Sequence, residues 1–194
     1  MPKLWSETIE EHRRTVRDAT LDTTAALVAR HGLAGVTMSR VAKETGIGRA
    51  TLYKYFPSVE SIVLAWHERQ VADHLAHLAA IRDGAGENPG DRLAAVLDAY
   101  AVINHHRSLH GRHPHGAEFA EFLHAGARVA SGHAQLRAMI ADLLRAAHGS
   151  VREDVSPDEL ASFCLHALDA ATEAPTKAAA RRLVAVTLDA LRRR

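Results

Sequence analysis

Between Thr37 and Phe56 the chain reads TMSRVAKETGIGRATLYKYF, two short amphipathic helical patterns hinged at Gly46. No other stretch restricts the fold as much. The first half sets Val41 and Ala42 on an inward face behind Thr37, a hydroxyl residue suited to capping a helix N-terminus. The second half, after the Gly46-Ile47-Gly48 break, carries Ala50, Leu52, Tyr53 and Phe56, while polar Arg49, Thr51 and Lys54 point elsewhere. A glycine at the bend suits a left-handed backbone, which other residues adopt only at a cost. Two such helices at a tight turn form a helix-turn-helix, whose second helix lies in the major groove of DNA. The pattern therefore implies a DNA-reading unit.

Charge supports that implication locally, not globally. The 194-residue chain has a formal net charge of only +1, but Thr37–Phe56 holds four cations, Arg40, Lys43, Arg49 and Lys54, against Glu44 alone. A concentrated basic surface is what phosphate contact needs. Arg49 at the start of the second helix is placed to fork onto a guanine, and Ala50 and the Thr51 methyl suit a thymine methyl. Lys54 stays on the groove side one turn later. Three of the nine aromatic residues, Tyr53, Tyr55 and Phe56, fall within four positions. Phe56 is read as core. The two tyrosines, with apolar bodies and polar tips, are read as phosphate contacts.

The arrangement closely resembles the N-terminal domain of the TetR family of bacterial transcriptional regulators. The resemblance covers roughly residues 10 to 65. It rests on a long helix ending at His31-Gly32, then Val36-Thr37, Val41-Ala42, Gly46-Ile47 and the run Thr51-Leu52-Tyr53-Lys54-Tyr55-Phe56-Pro57-Ser58. It implies DNA contacts by Ser39 and Arg40 as well, and a set comprising Thr37, Ser39, Arg40, Gly48, Arg49, Ala50, Thr51, Tyr53, Lys54 and Tyr55. One position departs from the family pattern: Val59 stands where a phosphate-clamping lysine is usual, which shifts the load to Lys54, Arg40 and helix-terminus N–H groups.

The rest of the chain reads as all-α. Apolar residues recur at three- and four-residue spacing, and no stretch alternates as a strand would. The first helix is expected from about Ser6 or Glu7 to His31, with Val16, Thr20, Thr23 and Leu27 in one stripe. Ser58 is expected to cap a helix to about Arg82, and residues 83–90 form a linker after which Asp91 caps the next helix. A short helix at about Ala117 to His124 and a long one from Val129 to His148 follow. Ser156-Pro157-Asp158-Glu159 is a strong start signal for a helix ending near Glu173, and Pro175-Thr176 opens the last helix. The total is about nine helices, divided into a helix-turn-helix domain at residues 1–60 and an effector-binding and dimerisation domain at residues 61–194.

The family resemblance further implies a homodimer on a pseudo-palindromic operator and a small-molecule effector. The expected dimerisation stripes are Leu160, Phe163, Ala167, Ala170 and Ala171 on one helix and Ala179, Leu183, Val186 and Ala190 on the next, with packing inside one chain as the rival reading. Candidate effector-lining residues, large or polar on otherwise apolar faces, are Trp66, Tyr100, Asn104, Phe119, Phe122 and His166. Histidine is plentiful, and His105, His106, His110, His113 and His115 crowd one stretch. His106 and His110 have the four-residue spacing of a metal pair, so a metal-responsive regulator is the alternative. No carboxylate or cysteine near them completes a site, so neither a metal nor a cofactor is expected. No phosphate-binding glycine loop, nucleophile elbow or zinc-protease motif appears, so an all-helical enzyme stays only as the further alternative and none is expected. The single cysteine, Cys164, excludes an intrachain disulfide, and no apolar run approaches membrane-spanning length. The expected location is the cytoplasm.

Overall fold

The structure, a computed structural model, describes residues 3–111 and 127–193, with side chains at 10–106 and 131–193. Among them are eight α-helices and no strand: α1 (Lys3–His31), α2 (Met38–Thr45), α3 (Arg49–Tyr55), α4 (Val59–Gly84), α5 (Pro89–Gly111), α6 (Ala127–Ala146), α7 (Pro157–Asp169) and α8 (Lys177–Leu191). The expected short helix at Ala117 to His124 lies outside the described residues. The chain divides into two compact units, the first running to Gln70 and the second beginning at Val71 within α4.

The first unit closes around Leu21, Leu27 and Val28 of α1, Val41 and Ala42 of α2, Leu52 of α3, Phe56, and Ile62 and Val63 of α4, all buried. The α1 stripe is rotated from the expected one. Thr20, Leu21, Thr24, Leu27 and Val28 are buried, whereas Val16 and Thr23 are half-buried. Both buried threonines donate their hydroxyls to carbonyls one turn back, Thr20 to Val16 and Thr24 to Thr20, each at 2.8 Å. The hydroxyls are thus satisfied inside the helix and the methyls are left to pack. Across this unit Arg69 of α4 reaches α1, donating to Asp18 at 3.0 Å and to Asp22.

Two caps decide how α2 turns into α3. The Thr37 hydroxyl accepts from the Arg40 backbone N–H at 3.3 Å, as expected of a cap. At the other end Gly46 is left-handed, with φ of 70° and ψ of 12°, and Ile47 N–H reaches back to the Ala42 carbonyl at 3.1 Å. A Cβ on Gly46 would touch nothing within 4 Å, so the demand is on the backbone alone. Gly46→Ala is therefore expected to destabilise the protein by about 1–2 kcal/mol, the cost of a left-handed non-glycine residue. Urea unfolding measures it, and an unshifted midpoint would mean that the turn relaxes freely.

In the second unit α5 is the central element. Its Leu93, Val96, Leu97, Tyr100 and Ala101 are buried against Ile140 and Leu144 of α6, Leu165 and Leu168 of α7, and Val184 of α8. The helix starts at Pro89, two residues before the expected cap at Asp91. Asn88 is the true start: its carbonyl accepts from Arg92 N–H at 3.1 Å and its side chain from Gly90 N–H at 2.8 Å. Proline at the first helical position follows naturally from its fixed φ and missing N–H. Helix α7 begins as expected, with Ser156 and Glu159 capping each other's backbone N–H. That bonding holds the Glu159 carboxyl below its usual range. The helix stops at Asp169, short of Glu173, and tightens into one 3₁₀ turn at Ala170–Thr172. Thr176 then caps α8. Cys164 is fully buried in this core, which pushes its thiol up to about 12. No helix among the described residues is long and apolar enough to cross a membrane.

Candidate nucleic-acid interface

Helix α3 is seven residues long and has one apolar edge. Leu52 and the following Phe56 are 1% and 4% exposed, and they tie the helix to Val41 and Ala42 behind it. With two anchors one turn apart, the rotation of the helix about its axis is set. Apart from half-buried Tyr55, the rest of it is turned outward: Arg49, Ala50, Thr51, Tyr53 and Lys54 are exposed, as is Gly48 just before it. Ala50 and Tyr53 therefore do not join the inward face with Leu52 and Phe56. The sequence pattern groups Tyr53 with Leu52, but a helix anchored at positions 52 and 56 leaves 53 on the rim.

The two tyrosines differ. Tyr53 is 44% exposed, and the Arg49 guanidinium lies over its ring at 5.6 Å from the centroid. This i,i+4 stack restricts the arginine where it projects from the first turn of the helix. Tyr55 is half-buried and packs against the core of the unit. On α2, Thr37 and Ser39 are exposed, and Arg40 is half-buried with its guanidinium donating to His31 Nε2 at 2.8 Å. Because an arginine always donates, the His31 Nε2 in this contact is an acceptor. Val59, where a cation is missing, is buried in the core of the unit and is followed by Glu60, whose carboxyl is lowered chiefly by a hydrogen bond from Ser58.

One cation near this surface has no local signal in the sequence. Arg17 of α1 lies over the Phe56 ring, 5.3 Å from its centroid. The two residues are far apart in the chain, and only the packing of α1 on the helix-turn-helix unites them.

The other candidates scatter. Tyr100 and Asn104, one turn apart on α5, both bond to the end of α7: Tyr100 O–H to Asp169 Oδ1 at 3.2 Å and Asn104 Nδ2 to the Leu168 carbonyl at 3.1 Å. Asn104 is fully buried, and its Oδ1 has no hydrogen-bond partner among the described residues. His166 is exposed, its Nδ1 2.7 Å from the Ser162 carbonyl, and Trp66 packs in the first unit. Phe119 and Phe122 lie outside the described residues. His105 is buried and His106 exposed, their ring centroids 5.9 Å apart. The His110 side chain, His113 and His115 lie outside the described residues, and among those described no three potential ligands gather for a metal.

The expected dimerisation stripes divide. Leu160 and Ala171 are used within the chain's own core, and Ala179 and Leu183 pack partly against it. Phe163, Ala170, Val186 and Ala190 are exposed, and Ala167 is half-buried. Phe163 and Val186 are 45% and 67% exposed, unusual for large apolar side chains.

Comparison with known proteins covers both units. Residues 21–66 match the family described as bacterial regulatory proteins, tetR family, and residues 103–193 match the SbtR-like transcriptional regulator C-terminal domain. The nucleoid occlusion factor SlmA of Haemophilus influenzae is 30% identical over 129 residues, 57% of this chain and 57% of that protein. The match thus spans little more than half the length of that curated relative. A TetR/AcrR-family regulator from Thermobifida fusca superposes with a TM-score of 0.66 at 17% identity, over 91% of this chain and 98% of the other. A TetR-family regulator from Marinobacter aquaeolei gives 0.67 at 17%, over 95% and 100%. At such identities the likeness establishes a shared fold.

Proposed function

Because the chain belongs to the TetR family of bacterial transcriptional regulators, we propose that it binds a pseudo-palindromic DNA operator as a homodimer and blocks transcription until a small effector releases it. One observation carries the reading. Helix α3 buries Leu52 and Phe56 and leaves Arg49, in its first turn, Thr51 and Lys54 exposed. That is what a helix needs in order to enter a major groove without unfolding anything behind it. Thr37, Ser39 and Tyr53 flank it with hydroxyls that can donate to phosphates, while Gly48 and Ala50 allow close approach. Arg40 joins them on exchanging His31 for a phosphate, and Tyr55 contributes through its phenol edge.

Two copies supply what one reading helix lacks, since a single insertion buries too little surface for tight specific binding. The exposed Phe163, Ala170, Val186 and Ala190, with Ala167 beside them, are the proposed contact between α7–α8 hairpins. A four-helix arrangement about a two-fold axis would cover them. The effector part of the reading draws on Asn104. A buried amide oxygen without a partner costs about 1–3 kcal/mol, and a bound molecule donating to it would remove that cost. We place the protein in the cytoplasm, with its DNA, and assign it no catalytic reaction and no resident metal.

The core of the proposal is tested by electrophoretic shift on an inverted-repeat fragment, comparing wild type with Arg49→Ala and Tyr53→Phe. Loss of a bidentate guanine contact is expected to weaken specific binding by about 1–3 kcal/mol per half-site in Arg49→Ala. Tyr53→Phe removes one phosphate hydrogen bond and keeps the ring under Arg49, so its loss is smaller. Equal binding by all three proteins would remove these contacts from the interface.

A further inference from the structure

The basic surface does not end with the helix-turn-helix. On α1, Arg13, Arg14 and Arg17 are exposed, and the four- and three-residue spacings to Arg17 bring all three to one side of the helix. Of these Arg17 is the fixed one, because its guanidinium sits over the ring of Phe56, the residue that ends the reading helix. A guanidinium stacked on an aromatic face keeps its N–H edge free, and that planar edge matches a phosphate. No carboxylate takes that edge: among the described residues Arg17 has no ion pair, in contrast to Arg69, which Asp18 and Asp22 engage from the same helix. Glu10 and Glu11 share the exposed surface of α1 but make no ion pair with these arginines.

The neighbourhood explains why a cation there matters. The junction from α3 to α4 runs Phe56-Pro57-Ser58-Val59-Glu60 and has no positive charge of its own. Val59 is buried and Glu60 is an anion. Beyond Lys54 in the last turn of α3, a phosphate passing this junction would meet a further cation only if one is brought in from another part of the chain.

We propose that Arg17 is a phosphate-binding residue of the DNA interface, carried by α1 and registered to the end of α3 by the face of Phe56. The inference rests on the DNA-binding reading above. Since phosphate contact carries no base information, Arg17 adds affinity that is uniform across sequences and sensitive to salt.

Fluorescence anisotropy with a labelled mixed-sequence duplex tests it, across a salt series, on wild type, Arg17→Gln and Arg17→Lys. Each protein is first checked for an unchanged circular dichroism spectrum and melting temperature. Arg17→Gln is expected to bind roughly tenfold more weakly at low salt. Its plot of log affinity against log salt should be shallower by about 0.9 per chain, one released counterion. Arg17→Lys keeps the charge and should keep the wild-type slope. A wild-type slope in Arg17→Gln would overturn the proposal and leave the DNA reading intact. So would equal weakening of both variants with unchanged slopes, which would make Arg17 a brace for Phe56. Absence of duplex binding by the wild type at any salt would remove the DNA reading, and this inference with it.

Discussion

Val186→Asp is expected to leave the chain folded while separating the proposed dimer and lowering affinity for a two-half-site operator by roughly a hundredfold or more, the usual range for losing a linked second site. The folded monomer should tolerate the change. Val186 is 67% exposed, so its replacement removes little packing within the chain, and surface substitutions of this kind usually fall within about 0.5 kcal/mol. The dimer should not tolerate it. A two-fold contact uses the same patch twice, so one substitution places two carboxylates in an apolar interface facing Phe163 and the alanines around it. Removing a charge from water without a partner costs several kcal/mol. Sedimentation velocity reads the mass, and a shift assay on single and paired half-sites reads the affinity. A variant that still sediments as a dimer would place the interface elsewhere. One that becomes a monomer yet binds the paired site as tightly as before would separate dimerisation from DNA binding.

The second large effect lies in the reading head itself. Phe56→Ala is expected to cost about 3–5 kcal/mol, as large aromatic truncations in cores do. Phe56 is 4% exposed, closes the core that Leu52, Val41 and Ile62 share, and carries Arg17 on its face. A unit of this size has little stability to spare, since whole domains hold only about 5–15 kcal/mol. The second unit has a separate core around Leu97, Ile140 and Leu168, untouched by the change. Hydrogen exchange should therefore show α2 and α3 losing protection while α5 to α8 keep theirs. Uniform loss in both units would mean that they unfold as one.

How much of this was readable in advance depends on the distance over which each feature is decided. Caps and turns were readable because a few adjacent residues set them. Thr37, Gly46 and the Ser156–Glu159 pair act on backbone groups within four positions. Even the start of α5 was written locally, in Asn88-Pro89, although Asp91 offered a competing cap two residues later. The family resemblance also reached the fold through a short run, Thr51 to Ser58, in which turn chemistry and anchoring residues coincide.

Side-chain partnerships were not readable, because periodicity says which residues share a face and not what that face meets. Leu160 and Phe163 belong to one apolar stripe of α7, yet Leu160 is in the chain's own core and Phe163 is on the surface. Tyr53 and Tyr55 look equivalent in sequence and differ in exposure because Leu52 and Phe56 set the rotation of α3. The sequence by itself determined that the chain is helical, where the reading helix begins, and which cations that helix carries, all consequences of short-range backbone and charge patterning. Only the tertiary structure decided that Arg17 stands over Phe56, that Arg40 meets His31, and that Val186 is left uncovered. Those outcomes depend on the angle and register at which distant helices pack, which residues far apart in the chain settle jointly.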